Sequence, residues 1–134
     1  MKTILIIEDN NDIRESTAEI LELAGYTVLQ GENGKSGVDL AYQNKPDMIL
    51  CDIMMPELDG YGATREIRRW ESMNSSAGRT PIIALTANAF KGDQDECLAA
   101  GMDDYLTKPV TKEAIRLVLE KWAPPLHADS LKYK

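Results

Sequence analysis

Two kinds of apolar pattern alternate along the chain. "TILII", Thr3–Ile7, is a continuous apolar run too short for a helix, and it reads as a buried strand. Ile13, Thr17, Ile20, Leu21 and Ala24 then recur at helical spacing, and Gly25 is a natural stop after the last turn. Tyr26–Leu29 reads as a second strand. Asn33–Tyr42 reads as a helix with Val38 and Ala41 inward, broken by Pro46. "DMILCD", Asp47–Asp52, is a third strand, and "IMMPELDG" is the loop that leads into a helix from Gly60 to Trp70. "ESMNSSAGRT" is small and polar, a surface loop. "PIIALTA" is a fourth strand, Lys91–Ala100 a helix closed at Gly101, and "DDYLT" a short fifth strand. Thr111 is placed to cap a last helix carrying Ala114, Ile115, Val118, Leu119 and Trp122.

Strands and helices in strict alternation predict an α/β fold, a parallel sheet with helices on both faces. With 134 residues the chain suits one domain, here residues 1–123. Pro124 and Pro125 cut residues 124–134 off as a tail, too short for an output domain. His127, the only histidine, sits in that tail without helical context and reads as incidental.

Charge and composition narrow the function. The net charge of −7, from 15 Lys and Arg against 22 Asp and Glu, argues against nucleic-acid binding, which calls for a basic patch. A hydrophobic fraction of 43% with 28% charged residues is that of a soluble globular protein. No apolar run approaches the roughly 20 residues of a membrane span, and the run ending at Ile7 is too short for a secretory signal. Cys51 and Cys97 lie in apolar company and form no CxxC, so both are expected as buried thiols of a cytoplasmic protein.

The polar residues at the strand ends carry the chemistry. In an open parallel sheet the functional crevice lies beyond the carboxyl ends of the strands. The first strand ends in Glu8 and Asp9, the third in Asp52, the fourth in Thr86, and the fifth runs into Thr107, Lys108 and Pro109. Three clustered carboxylates repel one another and need a cation. Hard oxygen donors suit Mg²⁺, and Lys108 with one Mg²⁺ offsets the formal charge of Glu8, Asp9 and Asp52. Such a neutralised site can receive a phosphoryl group. Each feature taken alone is ordinary: an acidic pair after a strand is common, and a single lysine is usually solvated.

"IIEDN", "DMILCDIMMPELDGYG", "PIIALTA" and "GMDDYLTKPV" together resemble the response-regulator receiver domain of two-component signalling, over residues 1 to about 122. The resemblance implies a doubly wound, flavodoxin-like sheet of five parallel strands in the order 2-1-3-4-5. By position, Asp52 matches the phospho-accepting aspartate. Asp9 should ligate Mg²⁺ directly and Glu8 through water, with Met54 offering its backbone carbonyl. Thr86 and Lys108 should contact the bound phosphoryl group, and Pro109 should follow a cis peptide. Tyr105 matches the switch aromatic, whose ring turns inward as Thr86 moves toward the phosphate. Met54, Met55 and Met102 read as loop packing, Gly60 and Gly101 as backbone geometry, and Trp122 as helix packing.

The resemblance implies a phosphorylation-controlled switch. It would take its phosphoryl group from a histidine kinase or a histidine phosphotransfer protein. Its output would be a changed surface on the fourth helix, fifth strand and fifth helix, meeting a downstream protein or a second copy. Two other readings compete. A Mg²⁺-dependent aspartyl phosphohydrolase of the haloacid-dehalogenase kind wants an aspartate two residues after the nucleophile, where Met54 stands. A pseudo-receiver that binds partners without phosphorylation tends to lose the acidic pair or the lysine, and both are present. The residues from Pro81 to Val110 look more like receivers of hybrid sensor kinases, the first half more like free-standing regulators. Met1 directly before the first strand favours a true start, beside which an excised or a chimeric receiver stays open.

Overall fold

The computed structural model describes residues 2–74, 78–87 and 91–122, the last stretch with side chains from Gln94 onward. The tail with Pro124, Pro125 and His127 lies outside the described residues. Five strands, β1 (Thr3–Ile7), β2 (Thr27–Gly31), β3 (Met48–Asp52), β4 (Ile82–Thr86) and β5 (Asp104–Thr107), alternate with five helices. The helices are α1 (Asn11–Leu23), α2 (Gly34–Asn44), α3 (Gly60–Met73), α4 (Lys91–Ala100) and α5 (Lys112–Trp122). The sheet is parallel throughout, in the order β2-β1-β3-β4-β5. No helix among the described residues is long and apolar enough to cross a membrane.

The period-two alternation of a strand sends neighbouring side chains to opposite faces, and this chain fills both. Leu5, Ile7, Ile49, Cys51, Ile82 and Ala84 meet Val38 and Ala41 of α2, Ala63 and Ile67 of α3, and Cys97 of α4. Ile4, Ile6, Met48, Leu50, Ile83 and Leu85 meet Ala18 and Leu21 of α1 and Ile115 and Val118 of α5. The central strands β3 and β4 are buried along their whole length, which is why their sequences are unbroken apolar runs. Cys51 and Cys97 are buried as expected.

Side-chain caps set the helix starts. Asn10 accepts from the Ile13 N–H, Asn33 from Ser36, Asp59 from Gly62 and Thr111 from Ala114. The second strand lies later than the apolar pattern suggests, at Thr27–Gly31 rather than Tyr26–Leu29. The Tyr26 N–H is spent on the Leu21 carbonyl and the Gly25 N–H on Glu22, so both residues close α1 in a Schellman turn, with Gly25 at φ 101°. The ladder with β1 then continues to the Ile7–Gly31 pair. Helix α3 runs to Met73, into the stretch expected to be loop. Glu71 stays helical because its carboxylate meets Arg68 three residues back and the Thr80 N–H. Met55 and Met102 pack in the core, whereas Met54 is 78% exposed. Trp122 packs against the α1–α5 layer, and its ring N–H donates to Asp104.

Candidate functional site

Strand register brings the predicted residues to one rim. Ile7 pairs with Cys51, so the next residues along, Glu8 and Asp52, emerge side by side. Asp52 in turn pairs with Leu85, which sets Thr86 beside it, and Thr86 pairs with Thr107, just before Lys108. Four strand ends thus converge without help from any long loop.

The burial of the three acids differs. Glu8 is wholly buried, Asp52 nearly so, and Asp9 is exposed. One carboxylate oxygen of each lies within 4.8 Å of the others. Lys108 Nζ bridges two of them, 2.7 Å from Glu8 Oε1 and 3.0 Å from Asp52 Oδ1. The Met54 N–H donates to Asp52 Oδ1 at 3.2 Å, and the Asn10 N–H donates to Glu8 Oε2 at 3.1 Å. The Lys108 N–H donates to the Thr86 carbonyl at 2.8 Å, so β4 fixes the backbone that carries the lysine. The Lys108–Pro109 peptide is cis, as expected.

These surroundings perturb the charges. Burial, reinforced by the hydrogen bond to Asp52, pushes the Glu8 carboxyl up to about 7, while Lys108 and the Asn10 N–H pull against that rise. Burial opposes the charge on Lys108, but its contacts with Glu8 and Asp52 together outweigh this and raise its pKa. Burial likewise pushes up the Cys51 thiol, with Asp52 and Glu8 adding to it, so it is no nucleophile here.

Glycine governs how closely the next helix approaches. A Cβ at Gly60 would stand 2.3 Å from the Asp52 carbonyl oxygen and 2.8 Å from Ile53 Cα. Only glycine lets the start of α3 press against the end of β3, where its N–H donates to the Ile53 carbonyl at 2.9 Å.

The model of the response regulator receiver domain family matches residues 4–120. The chain belongs to that family. This receiver is 37% identical over 119 residues to the sensor protein GacS of Pseudomonas syringae, covering 89% of the chain but only 13% of GacS. It is 43% identical to the receiver domain of the sensor histidine kinase PA1611 from Pseudomonas aeruginosa. That structure has a magnesium ion coordinated in its active-site cleft, a TM-score of 0.80, and coverage of 90% of this chain and 96% of that one. The receiver domain of Saccharomyces cerevisiae Ssk1, crystallised with the histidine phosphotransfer protein Ypd1, superposes with a TM-score of 0.84 at 29% identity, covering 91% and 88% of the two chains.

The donor set of the receiver fits a hard divalent ion. Three carboxylates converge, and among the described residues Lys108 is the one cation in contact with them, one positive charge against three formal negative ones. Glu8, Asp9 and Asp52 are the residues that could hold Mg²⁺. Thr86 is buried at the end of β4, adjoining the same rim. Tyr105 lies away from the rim on β5, half-buried, where its hydroxyl accepts from Gln94 Nε2 of α4 at 2.9 Å. It borders a cavity of about 180 Å³ shared with Cys97, Leu98 and Asp104.

Two groups were not foreseen. Arg14 donates to the Glu8 carbonyl, to Asn11 Oδ1 and to Gln30 Oε1. In the sequence it reads as a solvated helix cation, since a contact with a main-chain carbonyl leaves no signature. Arg68 joins Glu71, Asp103, the Thr80 carbonyl and the Gly101 carbonyl at the end of the sheet away from the acids. Only the spacing of Arg68 to Glu71 is visible without coordinates.

Proposed function

We propose that Asp52 accepts a phosphoryl group from a histidine kinase or a histidine phosphotransfer protein, and that the acyl phosphate switches the α4–β5–α5 surface. The observation that carries this reading is the bridge of Lys108 across Glu8 and Asp52. It places a cation, a buried acid and a nearly buried acid at one point of the rim, beside an exposed third acid.

In the transfer, the N–P bond of the phosphohistidine breaks and an O–P bond forms at the Asp52 carboxylate. The histidine nitrogen keeps the electron pair and takes up a proton. Phosphoryl transfer needs in-line positioning and neutralisation of the equatorial oxygens. Lys108 can leave Glu8 to meet one oxygen, and the Thr86 hydroxyl can donate to another. The Met54 N–H and Lys108 both hold Asp52 Oδ1, which fixes the plane of the carboxylate. Asp9, Asp52 and the Met54 carbonyl, with Glu8 through water, would hold Mg²⁺, which would supply charge neutralisation when bound. Magnesium in the PA1611 receiver and the pairing of Ssk1 with Ypd1 support the ion and the class of donor.

Acetyl phosphate with Mg²⁺ should add one phosphoryl group, read by intact mass, and Asp52→Asn should take none because an amide is no competent nucleophile. Wild-type labelling of Asp52→Asn would overturn the assignment.

A further inference from the structure

We propose that Arg14 is a positioning residue for the metal site: it holds the β1–α1 turn so that Asp9, otherwise untethered, stays aimed at the cation. The inference rests on the proposed Mg²⁺ site.

Of the three acids, two are held through their side chains. Glu8 is tied by Lys108 and the Asn10 N–H, and Asp52 by Lys108 and the Met54 N–H. The Asp9 carboxylate is exposed and makes no hydrogen bond or ion pair among the described residues. Its direction is therefore set by its backbone. Side chains anchor both peptides that flank it: Glu8 Oε2 accepts from the Asn10 N–H on the far side, and the Glu8 carbonyl, the oxygen of the peptide joining Glu8 to Asp9, is held by Arg14. Arg14 Nη1 donates to it at 2.9 Å.

The anchor is itself braced. Arg14 Nη2 donates to Asn11 Oδ1 at 2.6 Å and Nε to Gln30 Oε1 at 3.3 Å. One planar guanidinium thus ties the tip of β1, the first residue of α1 and the edge strand β2. A lysine could not reproduce this fork, because its single ammonium lacks the fixed divergent donors.

Charge and geometry predict opposite signs, which makes the inference decidable. Arg14 is a cation next to a site for a dication, so by Coulomb's law its removal should tighten Mg²⁺ binding. If Arg14 instead acts by fixing Asp9, its removal should weaken binding, as loss of supporting contacts does at other metal sites.

The test is calorimetric titration of the full chain with MgCl₂, for wild type, Arg14→Ala and Arg14→Lys, at low and at high ionic strength. We expect Kd to rise about tenfold in both variants. The ratio to wild type should persist at high salt, where a purely Coulombic effect fades. Amide exchange at Asp9, Asn10 and Asn11 should also quicken in the metal-free variants. Arg14→Lys guards against loss of the folded state in Arg14→Ala, because it keeps the charge and most of the aliphatic stem. Equal or tighter binding by Arg14→Lys overturns the inference, as does tighter binding by Arg14→Ala that disappears in high salt. Failure of the wild type itself to bind Mg²⁺ overturns the metal reading first, and this inference with it.

Discussion

At the scale of single residues, the rim is a study in one acid made different from its neighbours by burial. Which positions carry the acids was legible from the sequence, because strands that point the same way deliver their last residues to the same place. What the sequence could not say is that Glu8 is sealed while Asp9, next along the chain, is open to solvent. That difference follows from strand alternation meeting the edge of the core, and it has a pH consequence. Glu8 is pushed up to about 7 chiefly by burial, then by Asp52. Its folded value lies above its unfolded one, so this carboxyl costs the metal-free fold nothing at low pH. The cost grows as pH rises from the ordinary carboxylate range through about 7. Mg²⁺ favours the ionised form and must displace the proton. Binding should therefore tighten by up to about tenfold per pH unit below 7 and level off above it. Calorimetry between pH 5.5 and 8 in buffers of different ionisation enthalpy checks this: proton release on binding should appear at pH 6 and vanish by pH 8. Binding that ignores pH would remove Glu8 from the site.

At the scale of elements, apolar patterns located every strand and helix, and the errors lie at ends. Tyr26 is apolar and follows a glycine, so it looks like strand; its N–H belongs instead to the cap of α1. Glu71 to Met73 look like loop by composition, yet Glu71 is held in the helix by Arg68 three residues back and by the Thr80 N–H beyond the loop. Those partners form a junction. Arg68 Nη2 lies 2.8 Å from Asp103 Oδ2, and Asp103 also accepts from the Ile82 N–H and from Arg79. Arg68 Nε donates to the Gly101 carbonyl at 2.9 Å. One side chain thus joins α3, the start of β4 and the turn between α4 and β5. Both Arg68 and Asp103 are largely buried, so without Arg68 the charge of Asp103 would be met, among the described residues, by the exposed Arg79 and the Ile82 N–H. Arg68→Ala should lower stability by about 3 kcal/mol in urea denaturation, with an unchanged m-value. Arg79→Ala, at a mostly exposed group, should cost less than about 1 kcal/mol. Equal losses in the two variants would mean that burial does not set the strength of this junction.

At the scale of the whole molecule, the proposed switch needs a route from the rim to the α4–β5–α5 surface, and β4 and β5, paired in parallel, offer one. The strand order follows from the family resemblance and stands in the structure. The position of the Tyr105 ring did not follow from sequence, because a tyrosine on an edge strand can bury its ring or leave it part-exposed with the hydroxyl hydrogen-bonded, and the apolar pattern does not distinguish the two. Here it is half-buried and held by Gln94 of α4. Thr86 lies one strand away, next to Asp52 through the β3–β4 register. If the phosphoryl group draws the Thr86 hydroxyl toward it, the end of β4 shifts and space opens for the ring. The Gln94 contact must then break, and α4 is released from β5. Coupling of this kind is typically worth about 1–3 kcal/mol, enough to exchange the dominant population without unfolding. Thr86→Ala removes the hydroxyl while leaving Asp52, Lys108 and the acids in place. The chain should still take up beryllofluoride as a phosphoryl mimic, read by fluorine NMR. The amide shifts of α4 and the ring signals of Tyr105 should then stay largely at their resting positions. Gln94→Ala acts at the other end of the same relay, and should let the Tyr105 ring move part-way even without the mimic. A full wild-type response in Thr86→Ala would show that the signal leaves the rim by another path, with Lys108 and its hydrogen bond to the Thr86 carbonyl as the next place to look.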